Sequence, residues 1–210
     1  MTLKILVRKL NMSDDKYIAS ALLKKYCMEL GLDYYSSIRY LTSNKYLHRI
    51  LKGIFYKPSI EERKLKKIGV SNLEAVSYAL KIKNIKNWYL GLESALKMNN
   101  LTHEFFAIDY IINDTIFRAS PFKIFGSKVK FIKLKKPITA FGINRKGRLR
   151  YSDPEKTVLD VVYLSKYRGL NETEIKDRIY GILKACSKEK LKKYSARYNK
   201  QIARFIGGLI

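Results

Sequence analysis

The chain has 210 residues, of which 43 are Lys or Arg and 18 are Asp or Glu, so its formal net charge is +25. Hydrophobic residues make up 47% of the chain, which is enough to bury a core and excludes a disordered polypeptide. No uncharged apolar run approaches the roughly 20 residues of a membrane span, and the start MTLKILVRKL lacks a signal-peptide pattern. We therefore expect a cytoplasmic protein without a membrane partner.

The excess of basic residues extends along the whole chain. Lys and Arg outnumber Asp and Glu by 11 to 4 in residues 1–60, 8 to 4 in 61–100, 11 to 3 in 101–151 and 13 to 7 in 152–210. Such a distribution favours a polyanionic partner, and nucleic acid is the commonest one because each phosphate contact releases condensed counterions. The alternative is that the composition reflects a thermophile or an AT-rich genome.

Metal-ligating residue types are scarce in this sequence. Cys27 and Cys186 lie far apart with no CxxC motif, and His48 and His103 are the only histidines. No metal-ligand spacing can be assembled from them, so we predict neither a metal nor another cofactor.

The first 60 residues predict three helices. Apolar residues at helical spacing indicate the first helix, which Asn11 and Met12 can end, and Ser13 is a suitable N-cap for the second. Asp33 is expected to cap the third, whose inward stripe comprises Tyr34, Ile38 and Leu41.

A β-hairpin is expected next, because two β-rich runs in residues 46–59 flank a turn at Lys52 and Gly53. Three helices and a hairpin are the order of a winged helix-turn-helix, whose third helix enters the major groove while the wing follows phosphates. The alternative is a small helical bundle without a DNA role. The predicted DNA contacts are Tyr35, Ser36, Ser37, Arg39, Tyr40 and Ser43 on the third helix, and Lys45, His48, Arg49 and Lys52 on the hairpin.

Residues 61–72 are charged and are predicted to link this domain to a second one at 73–210. That domain should contain helices at 73–80 and 92–98, a strand at 88–90, and short strands between 104 and 150, including DTIFRAS and ITAFGI. Helices should return at the end of the chain, capped by Asp153, Asn171 and Ser187. The predicted fold class is α+β.

A second basic surface is expected on this domain. The segments KVKFIKLKK and NRKGRLR hold the charges, and they could extend a DNA footprint, meet an acidic protein or simply be solvated. The residues are Lys128, Lys130, Lys133, Lys135, Arg145, Lys146, Arg148 and Arg150.

Four segments resemble AbiEi-type antitoxins, which are predicted transcriptional regulators of defence loci. NKYLHRILKGIFYKPS is similar to the wing of that family, LGLESALKMNNLTHE to the helix after its first core strand, and YSDPEKTVLDVVYL to a late helix start. KLKKYSARYNKQIARFIGGLI resembles its terminal helices. The resemblance implies a winged helix that binds promoter DNA and represses its own operon, and a second domain that counters a co-encoded AbiEii-type nucleotidyltransferase toxin of a type IV toxin–antitoxin system.

Two other classes of protein remain open. Asp160, Glu174 and Lys176 loosely resemble the carboxylates and lysine of a metal-dependent nuclease, but they fall on predicted helices rather than adjacent strands. We therefore expect no enzymatic activity. An RNA-binding protein would suit the basic composition, although the sequence contains neither an RNP-like aromatic strand motif nor a GXXG loop.

Overall fold

The computed structural model describes residues 2–210, so Met1, the first residue of the predicted winged helix, lies outside it. Within this range the protein has an α+β fold, which confirms the predicted class. The chain divides into two compact units. The first contains the chain up to Lys86 together with Ile124–Gly126, and the second contains Asn87–Lys123 and Ser127–Ile210.

The first unit combines helices with a small antiparallel sheet. Its elements are α1 (Thr2–Met12), β1 (Tyr17–Ala19), α2 (Ser20–Glu29), α3 (Tyr34–Ser43), β2 (His48–Leu51), β3 (Ile54–Tyr56), α4 (Ile60–Leu65) and α5 (Asn72–Ile82). The three strands pair in the order β1-β3-β2. Buried apolar side chains of all three first helices and of the sheet form one core, which includes Leu6, Leu10, Ile18, Leu23, Leu41 and Phe55.

The start of the second helix was predicted wrongly. Ser13 does not cap it, because its hydroxyl accepts a hydrogen bond from the Asp15 amide at 3.2 Å and the chain then forms β1. The helix begins only at Ser20, with Ala19 at the N-cap position. A three-residue strand leaves almost no local pattern, and β1 exists because it pairs with the distant β3.

The predicted linker contains a helix, and the division of the chain falls after it. Ser59 begins α4 with a capping box in which its side chain and that of Glu62 satisfy each other's backbone amides. Helix α5 belongs to the first unit, where Tyr78 stacks on Tyr17 of β1 with ring centroids 4.6 Å apart. The boundary lies between Lys86 and Asn87 rather than at 61–72, since these contacts join α5 to the first sheet.

The second unit is built around a mixed six-stranded sheet in the order β6-β7-β5-β4-β9-β8. Its strands are β4 (Trp88–Leu90), β5 (Ile108–Asn113), β6 (Phe122–Ile124), β7 (Ser127–Lys133), β8 (Ile143–Lys146) and β9 (Leu149–Ser152). Its helices are α6 (Glu93–Met98), α7 (Lys136–Thr139), α8 (Pro154–Tyr167), α9 (Glu172–Leu183), α10 (Lys188–Ser195) and α11 (Lys200–Gly207). The three predicted caps are confirmed: Asp153, Asn171 and Ser187 each accept a hydrogen bond from the first turn of their helix.

Two predicted strands of this unit are absent among the described residues. DTIFRAS forms none, because the buried side chain of Asn113 accepts a hydrogen bond from the Thr115 amide at 2.9 Å and holds a turn there. The ITAFGI segment contributes to α7, where Pro137 occupies the first turn and favours a helix, and β8 begins only at Ile143.

Candidate nucleic-acid interface

Helix α3 is anchored in the first unit by an N-terminal cap and by buried side chains. The Asp33 carboxylate accepts a hydrogen bond from the Ser36 amide at 2.8 Å, and hydrogen bonds from Ser36 lower the pKa of Asp33, so the cap is ionised at neutral pH. Ile38 and Leu41 are buried and anchor the helix in the core. The opposite face of α3 is therefore presented to solvent in a fixed orientation.

Most of the predicted DNA-reading residues lie on that exposed face. Tyr35 is 76% exposed, and Ser36, Arg39 and Ser43 are exposed as well. Tyr40 is half-buried and stacks on Tyr46 with ring centroids 6.1 Å apart.

Ser37 corrects this set. Its side chain is buried, because it lies one helical turn before Leu41 on the face directed into the core. A duplex cannot reach it, so Ser37 is removed from the candidate interface.

The β2–β3 hairpin is confirmed, with Lys52 and Gly53 at its turn. Gly53 has φ 78°, and its carbonyl accepts a hydrogen bond from the Ser20 amide at 2.8 Å. A Cβ at this position would lie 2.9 Å from the Ser20 hydroxyl oxygen. The turn is therefore hydrogen-bonded to the start of α2. On β2, Arg49 is exposed, and its guanidinium lies 5.6 Å from the centre of the Phe55 ring.

Residues 34–57, which form α3 and the hairpin, carry five basic residues and neither Asp nor Glu. Within the described chain, Arg39, Lys45, Arg49 and Lys52 make no ion pair, and all four are exposed. Lys57 differs, since its ammonium group donates to the carbonyl oxygens of Leu10 and Ser13. Four cations of this stretch are therefore available to an anion.

The predicted second basic surface is not continuous. Lys128, Lys130 and Lys133 lie on β7, whereas Arg145, Lys146, Arg148 and Arg150 lie on or beside the β8–β9 hairpin. Four strand spacings separate β7 from β8 in the sheet, a distance of roughly 19 Å. The structure therefore places these residues in two groups, with Lys135 at the N-cap of α7.

Each group contains exposed members and one partly buried member. The Lys130 ammonium group donates to the Ala119 carbonyl oxygen, and its side chain is partly buried, whereas Lys128 and Lys133 are exposed. Arg145 is paired directly across from Arg150, and burial and then Arg145 lower the pKa of Arg150.

One cluster of charged groups in the second unit is completely buried. Lys156 and Asp160 are one turn apart on α8, have no exposed side-chain surface, and bring Nζ and Oδ1 to 2.5 Å. The hydroxyl of Tyr89 donates to Asp160 at 2.8 Å and that of Tyr198 at 2.7 Å. The sequence predictions did not include this cluster, although the i, i+4 spacing of Lys156 and Asp160 was a signal for it.

Burial dominates the electrostatics of this cluster. It lowers the pKa of Lys156, while Asp160 opposes that shift, and it raises the pKa of Tyr89 and Tyr198 well above the ordinary value for a phenol, with Asp160 acting in the same direction. Both tyrosines therefore remain protonated and act as donors to the Asp160 carboxylate.

The carboxylates considered for a nuclease do not form a cluster. Asp160 is committed to the buried network, and Glu174 accepts a hydrogen bond from the Asn171 amide at 2.9 Å as part of a capping box. Among residues 2–210, no three His, Cys, Asp or Glu side chains are grouped so as to hold a metal ion. Over the same residues, no helix has the length and apolar character needed to cross a bilayer.

One solved structure places this architecture among known proteins. The chain is similar to the crystal structure of the RV2827C protein from Mycobacterium tuberculosis, with a TM-score of 0.59 and 13% sequence identity over 99% of this chain and 75% of that one. At this identity the likeness concerns the fold alone. No family model and no curated protein matches the sequence.

Proposed function

We propose that the first unit is a winged helix-turn-helix that binds double-stranded DNA, and that the protein is a sequence-specific transcriptional autorepressor. The observation that carries this proposal is the stretch from α3 to β3, which has exposed cations, no acidic residue, and a helix that is capped by Asp33 and anchored in the core. A surface of this kind loses self-repulsion when it meets phosphates.

The roles within the interface follow from side-chain chemistry. Arg39 is the best candidate to read a base, because a guanidinium can donate two parallel hydrogen bonds to guanine. Ser36, Ser43, Tyr35 and Tyr40 suit contacts to the sugar–phosphate backbone. The exposed lysines and arginine of the hairpin and the preceding turn, Lys45, Arg49 and Lys52, suit phosphates, and the half-buried His48 lies at the start of β2.

The resemblance to AbiEi-type antitoxins extends the proposal to a partner. In that reading the second unit counters a co-encoded AbiEii-type nucleotidyltransferase toxin, and the exposed cations of β7 and of the β8–β9 hairpin are candidate contacts. Co-expression with the product of a neighbouring nucleotidyltransferase gene tests this part: growth rescue by the wild-type chain supports it, and unchanged toxicity contradicts it.

The DNA proposal is tested by titrating the protein with the fragment upstream of its own gene and with a random duplex at two salt concentrations. We expect tighter binding to the upstream fragment, and an affinity that falls by roughly 10³ to 10⁵ between 50 and 200 mM salt if six to ten phosphates are contacted. Equal affinities for the two duplexes would contradict the proposal of a sequence-specific repressor. Preferential competition by structured RNA would favour an RNA-binding protein instead.

A further inference from the structure

A small cleft in the first unit collects basic side chains from three segments. It has a volume of about 200 Å³ and is lined by residues that follow α3, begin β2 and form α4. Those that matter here are Lys45, His48, Glu62, Arg63 and Lys66. We propose that this cleft binds one phosphate group of the nucleic-acid backbone. The proposal rests on the proposed function and adds α4, in the segment predicted as a linker, to the interface.

The charge of the cleft is not balanced from within. Lys45, Arg63 and Lys66 are three cations, and Glu62 is the acidic residue among its lining. Glu62 is already engaged: its carboxylate accepts hydrogen bonds from the Tyr56 hydroxyl at 2.9 Å and from the Ser59 and Gly69 amides at 2.8 and 2.5 Å. No ion pair within residues 2–210 involves any of the three cations.

The Arg63 side chain is held in place by contacts within the first unit, and one of its hydrogen-bond donors has no partner. One of its terminal nitrogens donates to the Asn11 side-chain oxygen at 3.1 Å, and the guanidinium lies 5.0 Å from the centre of the Tyr46 ring. Its Nε is buried without a hydrogen-bond partner. A buried donor of this kind is costly to leave unsatisfied, so a small shift of the side chain that lets a phosphate oxygen reach it would be favourable.

The backbone at the two lysines supports the same conclusion. Lys45 follows the C-cap of α3 with φ 58°, and Lys66 is the C-cap of α4 with φ 52°. Glycine or asparagine fits this left-handed region at the end of a helix with less strain than lysine. Both lysines line the same cleft, so two positive charges lie there although lysine disfavours the backbone conformation at these positions.

The size of the cleft indicates the ligand. Sites for small organic molecules usually measure about 300–1,000 Å³, so about 200 Å³ suits a single phosphate better than a whole nucleotide. Burial and the charge of Lys45 lower the pKa of His48, while Glu62 opposes them, so the ring is neutral at pH 7 in the free protein. It can then serve as a hydrogen-bonding group beside the three cations.

The first test removes the site and measures the salt dependence of binding to a short random duplex with the full-length protein. The double variant Arg63→Gln/Lys66→Gly should bind about tenfold more weakly, and the magnitude of the slope of log affinity against log salt should fall by about 0.9, the value for one phosphate. The matched control is Lys64→Ala/Lys67→Ala, which removes two charges from the same segment outside the cleft. Equal changes in both variants would overturn the cleft proposal.

Folding is controlled by the single variant Lys66→Gly, which removes charge and backbone strain together. Its stability should equal or exceed that of the wild type while its affinity for duplex falls. Undiminished affinity would overturn the proposal.

The results separate the two proposals. If the protein prefers the upstream fragment but the cleft variants bind duplex as the wild type does, only the cleft proposal is overturned. If the cleft variants bind more weakly but the wild type does not prefer the upstream fragment, only the proposal of a specific repressor is overturned.

An independent readout is the imidazole signal of His48, followed by NMR with His103 as an internal reference. Adding the random duplex should raise the pKa of His48, because a bound phosphate stabilises the imidazolium form. A rise with inorganic phosphate but none with duplex would overturn the assignment to a backbone phosphate, as would no rise with either.

Discussion

Each unit of this protein contains a group of charged residues, and the fold uses the two groups in opposite ways. In the second, Lys156 and Asp160 are wholly buried and satisfied by each other and by two tyrosine hydroxyls, so their charges are consumed inside the fold. In the first, Arg39, Arg49 and Lys52 are exposed without an acidic partner among the described residues. A net charge therefore says little about a partner until each cation is placed.

This contrast also explains why a segment with a strong sequence pattern need not be a binding site. The Asp153–Asp160 segment begins with a complete cap and contains Lys156 and Asp160, and the structure uses all of these groups internally. Beside it, Lys190 pairs with Asp153 at 2.9 Å and with Glu155 at 3.2 Å. Residues 34–57 of the first unit have a weaker local pattern, but four of their five cations remain exposed without an ion pair among the described residues.

The largest effect is expected from Asp160→Asn. Removing one member of a buried ion pair leaves Lys156 uncompensated, and we expect a loss of about 3–5 kcal/mol in the free energy of unfolding, measured by urea denaturation. The control is Glu172→Gln, which breaks the partly exposed pair with Lys166 at 3.4 Å and should cost less than about 1 kcal/mol. Similar losses of unfolding free energy in the two variants would mean that the buried Lys156–Asp160 pair contributes no more to stability than the surface pair of Lys166 and Glu172.

Arg39→Ala tests the exposed side of the contrast. Loss of the proposed base contact should reduce the discrimination between the upstream fragment and a random duplex by about 1–3 kcal/mol, measured by fluorescence anisotropy. Lys52→Ala removes a proposed phosphate contact and should instead weaken binding to both duplexes alike. Parallel losses in the two variants would refute this division of roles.

One helix in each unit begins with a capping box, so the contribution of a cap to stability can be compared between the units. Ser71 begins α5 in the first unit and Asn171 begins α9 in the second, each through a capping box. Replacing either residue by Ala should cost about 1 kcal/mol, measured by thermal denaturation, because an orphan backbone amide loses its acceptor. Substitution by Asp at each position keeps an acceptor and should retain most of the stability; a loss as large as that of the Ala variant would argue against capping as the cause.

The smallest effect concerns pH and Glu62. Burial opposes its ionisation, but hydrogen bonds from the Gly69 and Ser59 amides and from Tyr56 outweigh burial and hold its pKa below the ordinary value. Its contribution to stability is therefore present above the unfolded pKa of about 4.3 and is lost as the pH falls through the lower folded value. Urea midpoints between pH 7 and pH 3 should fall less steeply in Glu62→Gln; an identical pH dependence would contradict this assignment.

Several patterns with a local signal predicted the structure correctly. The Asp33 and Asn171 caps, the Lys52–Gly53 turn and the Trp88–Leu90 strand all appear as predicted, because each depends on residues within a few positions. The β1 strand and the membership of α5 in the first unit were missed because both depend on partners far along the chain. Ser37 was misplaced because a one-position error on a helix turns a side chain by about 100°.

The amino-acid sequence by itself determined the α+β class, the helix caps at Asp33, Asp153, Asn171 and Ser187, the hairpin turn and a basic character that extends along the whole chain. Only the tertiary structure decided which cations are used internally, such as Lys57 and Lys156, and which remain on the surface. It also brought Lys45, Arg63 and Lys66 to one cleft and separated the basic strands of the second sheet. The physical reason is that charge is a property of each residue, whereas its neutralisation depends on neighbours that folding brings from elsewhere in the chain.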